Sequence, residues 1–436
     1  MKICKILLIL ILFSNCNTED EIFESSIPFK TLNSTETGID FSNNLEYKTK
    51  LNIIEYLYYY NGGGVSVGDI NNDGLEDLYF SANLLPDRLY LNLGNMKFKD
   101  ISLEAGLNMD NSWSNGVNFE DINGDGFLDI YVTKVSPISP ENSHNLLYIN
   151  NGDLTFSEMS EDYGLNFSGF STHGTFFDYD HDGDLDLYLL NHAIHTVRSY
   201  GTSKKRSESD SLSGDKFYEN KINETEGKFI EVTRNANIYD SPLGYGLAVT
   251  ATDINNDGWL DIYVGNDFHE NDYIYINNKD KTFKESIKNS ISHSTHFTMG
   301  VDVADLNFDG YQDIFTTDMM PFDSEIFLKS GGEDSDKRSR IKKEFGFEYQ
   351  FSRNHFNLNR GNGIYSEIAL QTETHATDWS WGVLLQDFDC DGLNDIFISN
   401  GIVKRPNDLD YINYLSNVDF SKYNNTKQDE LKKKLI

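Results

Sequence analysis

The sequence predicts an all-β fold, a β-propeller of four-stranded blades that carry metal-binding loops. Three observations predict it. An acidic nine-residue motif, D-x-[DN]-x-D-G-x-x-D, occurs six times. Each copy runs straight into Leu or Ile and then Tyr or Phe, as in Leu78-Tyr79 and Ile396-Phe397, residues that favour strands. A second motif with the look of a hairpin follows five of the six copies.

The acidic motif comes first, because its spacing is a chemical constraint. The copies open at Asp69, Asp121, Asp178, Asp253, Asp305 and Asp387. Third positions are Asn71, Asn123, Asp180, Asn255, Asn307 and Asp389. Fifth positions are Asp73, Asp125, Asp182, Asp257, Asp309 and Asp391. The motif closes on Asp77, Asp129, Asp186, Asp261, Asp313 and Asp395. A tight loop aims alternate side chains at one point, and calcium takes six to eight hard oxygen ligands there. Glycine at the sixth position permits the sharp turn. Up to six Ca2+ ions are therefore expected. Magnesium, with its stricter octahedron, fits less well. An EF-hand needs Glu at position twelve, and here that position holds Phe80, Val132, Leu189, Val264, Thr316 and Ile398.

Strand alternation before the loops, as in Val65-Ser66-Val67 and Val301-Asp302-Val303, together with the strand-forming residues after them, places each loop between two strands. The second motif runs from Leu89-Tyr90-Leu91-Asn92 to Phe98 and from Leu147-Tyr148-Ile149-Asn150 to Phe156, with looser copies ending at Phe229, Phe283 and Tyr365. One repeat then holds about four strands, the content of a propeller blade. The sixth loop has no such partner after it. The stretch Phe29 to Phe41 is similar to the end of the second motif, so an N-terminal strand is expected to complete the last blade and close a six-bladed ring. The alternative is part of a seven-bladed ring.

Composition narrows the class. Against 36 Lys and Arg stand 70 Asp and Glu, a net charge of -34, which argues against nucleic acid as a partner. Aromatic residues make up 13%, enough for packed cores. The three cysteines, Cys4, Cys16 and Cys390, give no disulfide framework. Residues 1–15 read as a signal peptide, two lysines and then the apolar run Ile6 to Phe13. Cys16 resembles the acylated cysteine of a bacterial lipobox, and residues 16–28 read as an acidic tether. The expected location is the outer membrane or cell surface, with a lipid anchor as the only membrane contact; periplasmic or secreted are the alternatives. Residues 29–405 would form the propeller and 406–436 a polar helical tail.

These loops resemble FG-GAP/VCBS repeats, the integrin-type propeller repeats. Tyr60-Asn61-Gly62-Gly63-Gly64-Val65, Phe176-Phe177-Asp178-Tyr179-Asp180, Asn266-Asp267-Phe268 and Asp378-Trp379-Ser380-Trp381 are similar to bacterial cartilage-acidic-protein-like proteins, which often end in an ASPIC/UnbV domain. The resemblance implies a calcium-stabilised extracellular scaffold.

No catalytic residue is predicted. Gly64-Val65-Ser66-Val67-Gly68 matches the G-x-S-x-G nucleophile elbow, but it lies on a strand that enters a calcium loop rather than on a strand-to-helix turn. His192 with His195, and His293 with His296, have a spacing that suits a helical zinc site, in polar loop-like sequence. Two insertions, about His192 to Asp215 and Met319 to Ser352, interrupt the repeat and are candidates for a recognition surface. The expected function is a surface binding or adhesion module for a glycan or protein, without enzymatic activity. The alternatives are a calcium-stabilised polysaccharide lyase or hydrolase and a structural subunit.

Overall fold

The computed structural model describes residues 29–45, 51–53, 55–139, 143–194, 201–225, 227–331, 334–361, 363–402 and 405–417. The expected signal peptide, Cys16 and the tether lie outside the described residues, as does the tail beyond 417. The chain divides into two units, residues 1–32 and 33–436, and the architecture below belongs to the second.

Twenty-two strands form six antiparallel sheets. The first sheet holds β1 (Val65–Gly68), β2 (Asp77–Phe80), β3 (Arg88–Asn92) and β4 (Phe98–Asp100). The second holds β5 (Ser114–Glu120), β6 (Asp129–Lys134), β7 (Leu146–Asn150) and β8 (Phe156–Glu158). The third holds β9 (Ser171–Phe177), β10 (Asp186–Asn191), β11 (Lys216–Glu219) and β12 (Ile230–Glu231). The fourth holds β13 (Gly246–Thr252), β14 (Asp261–Asn266), β15 (Tyr273–Asn277) and β16 (Phe283–Glu285). After the short β17 (Ser294–Thr295) comes the fifth sheet, built from β18 (Gly300–Ala304), β19 (Asp313–Thr317), β21 (His355–Asn359) and β22 (Tyr365–Glu367). Within its long connection β20 (Gln350–Phe351) pairs in parallel with β17. The sixth sheet has two strands among the described residues, β23 (Ser380–Gln386) and β24 (Asp395–Asn400).

One register recurs throughout. The residue before each acidic motif pairs with the aspartate that ends it: Gly68 with Asp77, Glu120 with Asp129, Phe177 with Asp186, Thr252 with Asp261, Ala304 with Asp313, and Gln386 with Asp395. Each acidic loop is therefore the hairpin connection between the first and second strands of a sheet, as the sequence predicts.

The first strands neighbour one another in chain order, β1 to β5, β9, β13, β18 and β23. Side chains between adjacent sheets make the cores. The aromatic residue two positions beyond each of the first five acidic motifs fills them: Tyr79, Tyr131, Tyr188, Tyr263 and Phe315 are fully buried, whereas Phe397 beyond the sixth is 41% exposed. Removing such a ring costs about 3–5 kcal/mol. Close approach of the first strands explains their glycines. A Cβ on Gly64 would meet the Asn115 carbonyl oxygen at 2.7 Å, and one on Gly300 the Trp381 carbonyl oxygen at 2.7 Å.

The N-terminal stretch departs from expectation. No strand forms between Phe29 and Phe41. Asn33 instead caps a single helical turn, α1 (Ser34–Thr37), in a capping box that ends on left-handed Gly38. Asp40 accepts from the Tyr90 hydroxyl, and Phe41 stacks on Phe80 at 5.1 Å, so the turn lies on the first sheet. The turn at Gly106 lies on the second sheet in the same way: Gly38 faces the Phe98 carbonyl and Gly106 that of Phe156. The likeness to the end of a repeat thus holds, while the strand expected to complete the last sheet does not form among the described residues. Val65 and Val67 on β1 are 57% and 56% exposed, whereas Val117 and Phe119 on β5 are buried.

Helices stay peripheral: α2 (Ile287–Ser290), α3 (Ser324–Lys329) and α4 (Asp336–Glu344), then α5 (Leu409–Asn417) in the tail. No helix among the described residues is long and apolar enough to cross a membrane.

Candidate functional site

The acidic loops share one backbone. The fourth residue is left-handed in all six, at Asn72, Gly124, His181, Asn256, Phe308 and Cys390, and so is the sixth, always glycine. The opening aspartate turns back to accept from that glycine's N–H, as Asp69 does from Gly74 at 2.7 Å and Asp387 from Gly392 at 2.8 Å. The closing aspartate accepts from the second residue of its own loop, at 3.0–3.2 Å in Asp77, Asp129, Asp186, Asp261, Asp313 and Asp395. In the first five sheets its other oxygen accepts from an asparagine N–H at the end of the third strand, Asn92, Asn150, Asn220, Asn277 or Asn359, at 2.7–2.8 Å. These carboxylates are oriented from two sides.

Burial raises the proton affinity of five of the six closing carboxylates. It pushes Asp129 and Asp261 up to about 7 and Asp186 up to about 8, against the backbone donors that lower them. Asp77 and Asp313 are raised by the same cause. A buried carboxylate without a counter-charge calls for a cation.

Two loops gather three carboxylates with donor oxygens all within 4.8 Å: Asp178, Asp180 and Asp186, and Asp387, Asp389 and Asp395. In the other four the third residue is asparagine. Asn71, Asn123 and Asn307 donate to the fifth-position carboxylates Asp73, Asp125 and Asp309 at 2.9–3.0 Å, which leaves those donors bound to one another. The buried Asp178 Oδ1 and Asn255 Oδ1 have no hydrogen-bond partner among the described residues. An all-oxygen donor set with orphaned buried oxygens fits calcium.

Sequence reading missed two sets of residues. The side-chain amides of Asn150, Asn277 and Asn359 reach back to the preceding sheet's loop, donating to the carbonyls of Ile70, Tyr179 and Ile254 at 2.8–3.2 Å. Each amide also donates within its own loop, so it staples two sheets. The other set precedes the third strand. Asp87, Asp215 and Asp272 accept from the hydroxyls of Tyr79, Tyr188 and Tyr263 at 2.7–2.9 Å, and Asn145 donates to Tyr131. The available signal was an Asp or Asn three residues before Tyr90, Tyr148, Tyr218 and Tyr275.

At the opposite ends of the first strands lies a cavity of about 520 Å³. Residues from all six sheets or their approaches line it, among them Tyr60, Asn61, Asn115, Thr172, His173 and Trp381. Neither Asp, Glu, Lys nor Arg is among the described residues that line it. Burial lowers His173 to about 4, so it is neutral at pH 7. Residues leading to Tyr60 cross this end: Tyr56 bonds His192 at 3.0 Å and Tyr58 bonds Asp267 at 3.1 Å. The G-x-S-x-G match lies on β1 with Ser66 mid-strand opposite Tyr79, as expected of a strand.

The two insertions meet each other. Ser203 N–H donates to the Phe345 carbonyl at 2.9 Å, and Arg206 bonds Glu270 and lies over the Phe347 ring at 5.6 Å.

With this geometry in hand, comparison with known proteins decides the repeat type. Residues 69–132, 138–189 and 216–316 match the model of the FG-GAP-like repeat. The chain carries FG-GAP-like repeats. No curated protein matches it. Among solved structures it is similar to an Agrocybe aegerita lectin described as recognising non-reducing terminal N-acetylglucosamine. That pair is 15% identical with a TM-score of 0.41, covering 77% of this chain and 73% of the lectin. It is also similar to the V. cholerae biofilm matrix protein Bap1, at 14% identity and a TM-score of 0.32, covering 60% of this chain and 35% of Bap1. Rhamnogalacturonan lyase YesW gives 10% identity and a TM-score of 0.38, covering 77% of this chain and 55% of the lyase.

Proposed function

We propose that this chain is an exported, calcium-stabilised propeller scaffold of the cartilage-acidic-protein-like kind, and that it binds a neutral glycan without cleaving it. One observation carries the reading: the six sheets converge on a cavity lined by amides, hydroxyls and the rings of Tyr60 and Trp381, with no charged side chain among the described residues. Hydroxyls and amides hydrogen-bond sugar hydroxyls, and aromatic rings stack on sugar faces. A lyase acting on an acidic glycan would want a base and a cationic group beside the substrate carboxylate; the described lining has no Lys or Arg, and its histidine, His173, is lowered to about 4 and is a weak base. The acidic loops lie at the other end of the first strands, where bound calcium would hold the sheets together and leave the cavity free.

The test passes the mature protein, in calcium, over immobilised neutral and acidic polysaccharides, with the eluates assayed for new reducing or unsaturated ends. Retention on a neutral glycan that Trp381→Ala weakens, with no new ends, supports the reading. New ends would make the chain an enzyme. Retention unaffected by Trp381→Ala would move the ligand to another surface, with the paired insertions next in line.

A further inference from the structure

The three-residue spacing pairs His293 with His296 and His192 with His195; the structure gives His293 and His296 different partners and does not test the other pair. His195 lies outside the described residues, and His192 is engaged by Tyr56. His296 places Nδ1 3.1 Å from Ser352 Oγ and Nε2 3.9 Å from Asp334. His293 turns instead to residues far along the chain.

His293 precedes β17, His355 opens β21 and Glu367 ends β22, and one donor atom from each lies within 4.8 Å of the other two. His355 is fully buried, and neither of its ring nitrogens has a hydrogen-bond partner among the described residues. Leaving a buried imidazole unsatisfied is costly, so such a group asks for an occupant. Glu367 is already oriented: Oε1 accepts from Ala369 N–H at 2.6 Å and Oε2 from Arg353 Nη2 at 2.8 Å. His293 Nε2 stands 3.6 Å from the same Oε2, and its Nδ1 is 2.9 Å from Ser292 Oγ. The two imidazoles meet edge to face, centroids 5.0 Å apart.

We propose that His293, His355 and Glu367 form a binding site for a divalent transition metal, zinc foremost, distinct from the acidic loops. Two imidazoles and one carboxylate are ligands of zinc and its neighbours, whereas calcium prefers oxygen throughout. Tetrahedral zinc with bonds of about 2.0–2.1 Å sets its ligands about 3.3 Å apart, within reach of small side-chain rotations here. Arg353 is the outer partner that fixes the carboxylate. Its positive charge opposes a dication, and the carboxylate between them offsets that repulsion. The bound ion would tie β17, on one side of the second insertion, to the outer strands of the fifth sheet, with a fourth position left to water.

The test uses untagged full-length mature protein, stripped with chelator and returned to excess calcium so that the acidic loops are saturated. Zinc is titrated by calorimetry, and cobalt(II) serves as a spectroscopic probe of coordination. The expected result is one zinc ion per chain, tetrahedral cobalt absorption, and a weakening of about tenfold or more in His355→Ala and Glu367→Gln. His293→Ala, at a partly exposed position, guards against misfolding of the buried variant and should lose zinc while keeping its melting temperature in calcium. No zinc uptake by the wild type overturns the proposal, and so does uptake that survives both His293→Ala and Glu367→Gln.

Discussion

The third and sixth acidic loops have the same ligand chemistry and different surroundings. Both place Asp at the first, third, fifth and ninth positions, and both gather three carboxylates within 4.8 Å. In the third loop Asp186 is buried, and Asn220 on the third strand of its sheet supplies a second backbone donor. Lys281, from the next sheet, sets its ammonium 2.5 Å from Asp180 Oδ2 and 2.5 Å from Glu219. His181 stacks on Trp259 of the fourth loop at 4.0 Å. Among the described residues the sixth loop has none of this: its sheet has two strands, Asp395 is only partly buried, and Phe388 N–H is the one backbone donor to it. A nine-residue motif specifies donor atoms; the neighbouring sheet decides how dry the site is and whether a lysine competes for it.

Four measurements test that contrast. Removing calcium with EDTA should lower the melting temperature by roughly 10 °C. Each occupied loop contributes about 1.4 kcal/mol at a tenfold excess of ion over its dissociation constant, so six would total about 8 kcal/mol. An unchanged melting curve would mean that the loops do not depend on metal. Next, Asp186→Asn should cost about 1–3 kcal/mol, because an amide cannot accept from both the Tyr179 and Asn220 N–H groups. Asp395→Asn should cost under about 1 kcal/mol, since one donor and a wetter site are involved. Equal losses in chemical denaturation would erase the distinction.

Lys281→Ala should tighten calcium binding at the third loop several-fold by removing a competing cation, with no change at the sixth. Calorimetric titration of the two proteins would show it, and weaker binding would mean that Lys281 supports the loop. The fourth measurement concerns pH. Burial raises Asp267 to about 8 and Asp272 to about 7. The folded chain keeps these protons while the unfolded chain releases them near pH 4, so stability falls as pH rises from about 4 towards 8. Asp267→Asn should flatten that slope, read from melting temperatures between pH 5.5 and 8 in saturating calcium.

Much of the fold was legible because it repeats. The acidic motif followed by Leu or Ile and then Tyr or Phe marks a loop and its following strand, and all six loops occupy that place. The staples and the Tyr–Asp pairs were less legible, because a partner such as Ile70 for Asn150 lies in another repeat. His293 and His296 show the opposite failure, where nearness in sequence suggested a pairing that the backbone turns apart.

The donor atoms, their spacing and the strand on either side could be read from the sequence, since these follow from local backbone geometry and side-chain chemistry. Packing between distant segments set which closing aspartates are buried, which loop a lysine neutralises, and the approach of His355 to His293 and Glu367. Those properties depend on what packs against a residue, and for each of these the packing partner comes from a distant part of the chain.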